Sequence, residues 1–279
     1  MESQTAERNF ILLRYLVKVG YYTTNIRIFF KQFNSLYLKD LLRYFSHKKY
    51  ALIPYFCGFI FFNTVGKDKL RRFAEVSTFS NVVQMEDGKP YRGNWSADFF
   101  KNSQPLVLEL ACGKGEYTVN LARFFPERNF LGIDYKGNRI WRGAKTALED
   151  GVANAGFLRI QIENLVDYFA PGEIDEIWIT FPDPQPQLSR EKKRLTSPRF
   201  LEMYKQLLKP GGFMNLKTDN DGLHAYTAEK IEELGLKLHV KTEDLYHSPF
   251  ADEVLSIKTY YEKKYLQDNK NINYLKFSF

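Results

Sequence analysis

The sequence predicts a doubly wound α/β domain built on a mostly parallel, seven-stranded sheet. Three observations carry that expectation. From Leu106 onward, short apolar runs of β-type residues alternate with segments of helical periodicity, the pattern of a parallel sheet covered on both faces. A turn with two glycines follows the first run, and an acidic residue ends the second, as in crossovers that bind nucleosides and nucleotides. The 279 residues, 44% apolar and 26% charged, suffice for one large domain, or one domain plus an appendage, while 17 Gly and 11 Pro exclude a collagen-like or linker-dominated chain.

Each element has its own signal. Leu106–Ala111 is the first strand, and Cys112-Gly-Lys-Gly115 turns it into a helix ending near Phe124. Phe130–Asp134 is the second strand, followed by a helix over Asn138–Leu148. Phe157–Ile162 is the third, with a short helix at Leu165–Phe169. Ile174–Thr180 is the fourth and runs into Phe181-Pro-Asp-Pro184. Ser197–Leu208 reads as a helix with Pro198 in its first turn, stopped by Pro210-Gly-Gly212. Phe213–Lys217 is the fifth strand, Gly222–Leu234 a helix, and Leu236–Lys241 and Val254–Tyr261 are the late strands.

The net charge of +7 is unevenly placed. Residues 1–64 hold nine Lys/Arg against three Asp/Glu and 16 of the chain's aromatic residues, whereas residues 65–279 are nearly neutral, 31 against 30. The chain is therefore expected to divide into a basic, aromatic-rich N-terminal extension (1–64) and a body (65–279). The extension's densest apolar run, Ala51–Phe62, is too short to span a bilayer, which needs about 20 apolar residues. No stable membrane insertion is expected, although Ile26–Phe45 could lie on an anionic surface or pack as an ordinary helix. Val65 could be read from a GTG start codon, which would leave the extension untranslated; intact-mass analysis of the native protein decides it. Two cysteines and four histidines without ligand spacing form no disulfide framework and no metal site. They suggest a reducing, cytoplasmic setting.

The chemistry concentrates after the first two strands. Gly113 and Gly115 permit a positive φ and a close approach of backbone to a ligand. Asp134, 21 residues after Gly113, stands where a carboxylate accepts hydrogen bonds from a ribose diol. A dinucleotide motif would place a third glycine where this chain has Thr118. Its absence, with acidic Glu109 just before the turn, favours a nucleoside cofactor carrying positive charge over a diphosphate. S-adenosyl-L-methionine has a sulfonium, an ammonium and a ribose, and fits both carboxylates. The plain alternatives are a capping Glu109 and a surface-turn Asp134. Asn164, past the third strand, could contact an adenine or cap a helix.

With Phe181-Pro-Asp-Pro184 and Lys193-Arg-Leu-Thr-Ser197, followed by Lys217-Thr-Asp-Asn220 and Thr259-Tyr-Tyr-Glu262, these residues resemble the bacterial tRNA (guanine-N7-)-methyltransferase family (TrmB type) from about Val65 to Lys264. The resemblance implies a Rossmann-like, class I S-adenosylmethionine-dependent methyltransferase that forms 7-methylguanosine at guanine-46 of the tRNA variable loop. It implies cofactor binding by Glu109, Gly113, Gly115, Asp134, Asn164 and Asp183, with Asp183 also catalytic. It implies tRNA contacts from Gln187, Asp219, Thr259 and Glu262. The family usually carries an acidic residue at the Asn164 position and a lysine at Gln187; Arg190, Lys192, Lys193, Arg194 and Arg199 could supply the missing cation. A methyltransferase acting on another RNA base or a small molecule, and a catalytically silent RNA-binding adaptor, are the competing readings. A monomer or a homodimer is expected.

Overall fold

The computed structural model describes residues 68–279. Residues 68–76 are helical (α1) and lead into strand β1 (Val82–Gln84), a 3-10 segment (Met85–Tyr91) and one π-type turn (Trp95–Phe99). The alternation follows: β2 (Leu106–Leu110), α2 (Glu116–Phe124), β3 (Asn129–Ile133), α3 (Gly137–Glu149), β4 (Ala155–Arg159) and a 3-10 segment (Ile162–Asp167). Next come β5 (Ile174–Thr180), a second such segment (Leu188–Lys193), α4 (Pro198–Leu207), β6 (Leu208–Thr218), α5 (Asp221–Glu233) and β7 (Lys237–Thr242). The last elements are α6 (Tyr260–Gln267) and β8 (Asn273–Ser278). Readings that concern residues 1–64, including a start at Val65 and a membrane-surface helix, lie outside the described residues. Among the described residues, no helix is long and apolar enough to cross a membrane.

The sheet order is β1-β4-β3-β2-β5-β6-β8-β7, parallel from β1 through β6, with β8 antiparallel to both its neighbours. It has eight strands where the sequence pattern predicts seven. Three-residue β1 is too short to show a periodicity, and it is held at the edge by pairing Val82 with Phe157. The expected strand Val254–Tyr261 is also corrected. There Asp252 Oδ1 accepts from the Leu255 N–H (2.6 Å), its carbonyl from Ser256 N–H (2.9 Å), and the Val254 carbonyl from Ile257 N–H (3.2 Å). Backbone groups committed to local turns are withdrawn from a ladder. The place between β6 and β7 goes instead to β8, whose register runs from Phe213↔Ser278 to Thr218↔Asn273.

Side-chain alternation along the strands builds two cores. Leu106, Leu108 and Leu110 of β2 pack with Ile133, Ile177, Phe200, Tyr204 and Leu216 on the α4/α5 face. Val107 packs with Tyr117, Phe130, Trp141, Phe157 and Trp178 on the α2/α3 face. Because β2 lies between β3 and β5 with both faces covered, all five of its residues are buried, Glu109 included. A leucine in that position contributes about 2–3 kcal/mol by burial alone. Central β2 thereby fixes the level at which every loop on its C-terminal side leaves the sheet.

Candidate active site

The turn leaving β2 is wound tightly. Ala111, Gly113 and Gly115 all have left-handed φ (57°, 57° and 68°), a conformation that costs a non-glycine residue about 1 kcal/mol or more. Gly115 caps α2, and a Cβ there would lie 2.4 Å from the Phe157 ring and 3.2 Å from the Gly143 Cα, so helix packing requires glycine. At Gly113 the nearest atom to a Cβ would be the Ala111 carbonyl at 3.9 Å. The space above that residue is open, as a cradle for a ligand must be.

Asp134 and Glu109 flank the turn. Asp134, at the end of β3, accepts from the Gly113 N–H with one oxygen (3.0 Å) and from the Lys136 N–H with the other (2.8 Å). A carboxylate has about four acceptor sites, so two remain free for a diol. Glu109 is 3% exposed on the α2 face of the sheet. One of its oxygens accepts from the Thr118 N–H (2.8 Å) and the Thr118 hydroxyl; the other accepts from the Thr180 hydroxyl (2.5 Å). Burial pushes its carboxyl up to about 7, against the opposing effect of these three donors. Thr118, the residue that breaks the dinucleotide motif, is thus the one that orients Glu109. Thr180 joins it across the β2–β5 ladder, where Glu109 pairs with Trp178.

The same register places the end of β5 beside the glycine turn. Phe181 and Gln185 are left-handed (φ 49° and 44°), and two prolines bracket Asp183 between them. Asp183 is exposed, with one oxygen accepting from the Gln185 N–H (3.0 Å) and its second oxygen turned to no protein donor among the described residues. Strained backbone at adjacent strand ends, on the C-terminal edge of a parallel sheet, marks the binding crevice of open α/β folds. Asn164 lies exposed in the 3-10 segment after β4, and adjacent Glu163, also exposed, supplies a carboxylate at the same turn. The sequence pattern passed over Glu163 because it falls inside an undistinguished polar stretch.

Beyond Asp183 the chain carries its cations. Gln187 is exposed and its carbonyl accepts from the Arg190 N–H (2.9 Å), opening the segment that holds Arg190, Lys192 and Lys193. Arg194 anchors this loop, bonding the Gln185 carbonyl (3.2 Å) and covering the Tyr226 ring at 4.3 Å. Asp219, past β6, is half-buried and paired with Lys270 (3.0 Å).

Thr259 and Glu262 open the last helix. Thr259 Oγ1 accepts from the Glu262 N–H (3.2 Å) while Glu262 accepts from the Thr259 N–H (3.2 Å), a reciprocal cap at the start of α6. The Glu262 carboxylate has no exposed surface; it pairs with equally buried Lys217 (2.9 Å) and accepts from the Tyr246 hydroxyl. Lys217 also donates to the carbonyls of Leu255 (2.8 Å) and Ile257 (3.3 Å). Glu262 is thus enclosed as Glu109 is, and with Thr259 it caps α6 in this structure. The T-x-x-E spacing before a helix was the available signal for a cap. A separate hollow of about 630 Å³ beside β1 and α3, lined by Asn81, Tyr91, Phe99 and Val152 among others, contains none of these groups.

The chain is similar in sequence to a known family and to named proteins. A family model described as "Putative methyltransferase" matches residues 103–275. The chain is 49% identical over 218 residues to the tRNA (guanine-N(7)-)-methyltransferase of Christiangramia forsetii, covering 76% of this chain and 97% of that protein. It is 47% identical over 219 residues to the protein of the same name from Bacteroides thetaiotaomicron, covering 76% and 86%. The matched span contains the glycine turn, Asp134, Asp183 and Asp219. The chain belongs to the tRNA (guanine-N(7)-)-methyltransferase family.

Proposed function

We propose that this protein transfers the methyl group of S-adenosyl-L-methionine to N7 of a guanine in tRNA, guanine-46 of the variable loop, giving 7-methylguanosine. The observation that carries this reading is the convergence, at one edge of the sheet, of an open glycine turn, Asp134 with two free acceptor sites, and exposed Asp183. Asp134 suits the ribose diol, Glu109 the positive end of the amino-acid portion, and the Asn164 turn the adenine. Bound there, the cofactor supplies an electrophilic methyl group on a sulfonium.

The residues then have an alignment task. Guanine N7 carries an in-plane lone pair and no proton, so no side chain need act as a base. The protein must hold the ring close and in line, which can supply several kcal/mol of the barrier. Asp183, stiffened by its flanking prolines, offers a fixed negative charge to the guanine as it becomes cationic. Gln187, Asp219, Thr259 and Glu262 are the proposed substrate contacts, and the exposed cations Arg190, Lys192 and Lys193 the phosphate contacts. The same reading places the protein in the cytoplasm with its tRNA.

Transfer of labelled methyl to unmodified tRNA, followed by nucleoside analysis, tests the proposal. The expected product is 7-methylguanosine, lost when guanine-46 is replaced; a different methylated nucleoside overturns the assignment. Asp183→Ala should lower kcat at least a hundredfold while leaving cofactor affinity within about tenfold. Full transfer at saturating cofactor would remove Asp183 from the mechanism.

A further inference from the structure

Leu188 is the most exposed large apolar side chain among the described residues, at 84%. It opens the 3-10 segment Leu188–Lys193 (Leu-Ser-Arg-Glu-Lys-Lys), none of whose residues is buried. A single exposed leucine is ordinary on a protein surface. This one is set apart by its neighbours. Arg190, Lys192 and Lys193 are exposed beside it, whereas Glu191, the segment's acid, is half-buried and accepts from the Tyr226 hydroxyl (2.9 Å). The segment therefore shows solvent one apolar tip and three cations.

The tip is held in place beside Asp183. The Gln185 N–H donates to the Asp183 carboxylate (3.0 Å), and the Gln185 carbonyl accepts from the Arg194 guanidinium (3.2 Å). Arg194 in turn covers the Tyr226 ring of α5 at 4.3 Å, and its N–H donates to the Glu191 carbonyl (2.9 Å). Pro184 and Pro186 bracket left-handed Gln185 (φ 44°) and stiffen the path between. Leu188 stands five positions after Asp183, at most about 17 Å of extended chain. Bases along a regular strand are about 3.4 Å apart, so the stacking neighbours of a base held at Asp183 come within reach of Leu188.

Transfer to guanine N7 needs its lone pair in line with the methyl group, and a base is brought to such a site by leaving its stack. Proteins that open a base step insert an apolar side chain between the bases while cations hold the flanking phosphates. We propose that Leu188 is an apolar wedge that fills the gap left when the target guanine leaves its stack, with Arg190, Lys192 and Lys193 holding the adjoining phosphates. The proposal rests on the reading of this chain as a tRNA methyltransferase and adds the group that keeps the base out. Leu188 acts on the shape of the RNA and takes no part in moving the methyl group.

The test compares full-length L188A and L188M with the parent chain, using an unmodified tRNA transcript at fixed salt. Leu188 has little packing to lose, so both variants should melt with the parent. In single turnovers at saturating tRNA and cofactor, L188A should methylate about ten- to a hundredfold more slowly, with tRNA affinity within about threefold of the parent. Calorimetric binding of S-adenosylhomocysteine should be unchanged. L188M, which keeps an apolar tip of similar size, should stay within about threefold of the parental rate. A transcript that is abasic next to the target guanine has no stack to open on that side, and on it L188A should return to within about threefold of the parent. With 2-aminopurine at that position instead, fluorescence should rise on binding the parent and not on binding L188A. A parental rate for L188A on the ordinary transcript, or an equal deficit on the abasic one, would overturn the wedge. So would sedimentation of the parent as a dimer and of L188A as a monomer, because a second copy of this chain would then cover the side chain. If the parent forms no 7-methylguanosine on the ordinary transcript, the underlying reading fails instead, so the two failures are distinguishable.

Discussion

Glu109→Gln isolates the energetic cost of a buried carboxylate in the centre of the sheet. Burial raises the Glu109 carboxyl from 4.5 to about 7. Between those values the folded protein keeps a proton that the unfolded chain has released. Stability from this group is therefore greatest in acid and declines as pH rises through the window, reaching its full cost near pH 8. At about 1.4 kcal/mol per pH unit, a gap of roughly 2.5 corresponds to about 3 kcal/mol. Glutamine has the same shape, cannot ionise, and can still bond the freely rotating hydroxyls of Thr118 and Thr180. The variant should match the parent near pH 4.5 and exceed it by about 3 kcal/mol at pH 8, or on the order of 10 °C in Tm. The cofactor should reverse that order. A cationic group at this position requires ionised Glu109, so parental affinity should fall as pH drops below 7, and the variant should bind at least tenfold more weakly with a flat profile. Thermal melts of both chains from pH 5 to 8, with and without S-adenosyl-L-methionine, give the difference curve directly. A stability difference that is constant across that range would refute the argument, because it would mean that Glu109 is ionised in the fold at no cost.

The other expectations concern the supports of the site. Lys217→Met should cost about 3–5 kcal/mol in urea unfolding by stranding buried Glu262, and K217M/E262L should recover most of that loss; equal destabilisation in both variants would mean that the Leu255 and Ile257 carbonyl contacts dominate. Asp134→Ala removes both the proposed diol acceptor and the acceptor for the Gly113 N–H, so cofactor affinity should drop more than tenfold, whereas Asp134→Asn should lose less; calorimetry decides, and unchanged affinity in the alanine variant would exclude Asp134 from the site. Because the body is nearly neutral, tRNA binding should depend on local cations alone, and log affinity should fall with log salt at a slope of roughly −0.7 to −0.9 per phosphate engaged. A slope near zero in an equilibrium titration would contradict phosphate contact by these segments.

Much of the architecture follows from chain-local patterns. The alternation from Leu106 onward, the stop at Pro210-Gly-Gly212 and the two turn glycines all arise from interactions within a few residues, and such interactions are written into the order of side chains. Asp134 was legible for the same reason, since strand length and turn geometry together set where the second strand ends. The misread elements are those whose state depends on distant partners. Strand β1 exists because β4 offers an edge, and residues 254–261 look like a strand until Asp252 and Thr259 claim their backbone groups.

Sequence by itself determined the fold class, the glycine turn after the first strand of the alternation, and the carboxylates proposed to work with it. Only the tertiary structure decided which of those carboxylates face outward. Asp183 stands at a strand end in solvent, Glu109 is enclosed between sheet and helix, and Glu262 is neutralised by a lysine 45 positions earlier in the chain. The physical reason is that residue type sets what a group can bond, whereas its partners, its dielectric surroundings and hence its charge are set by segments that meet only when the sheet closes.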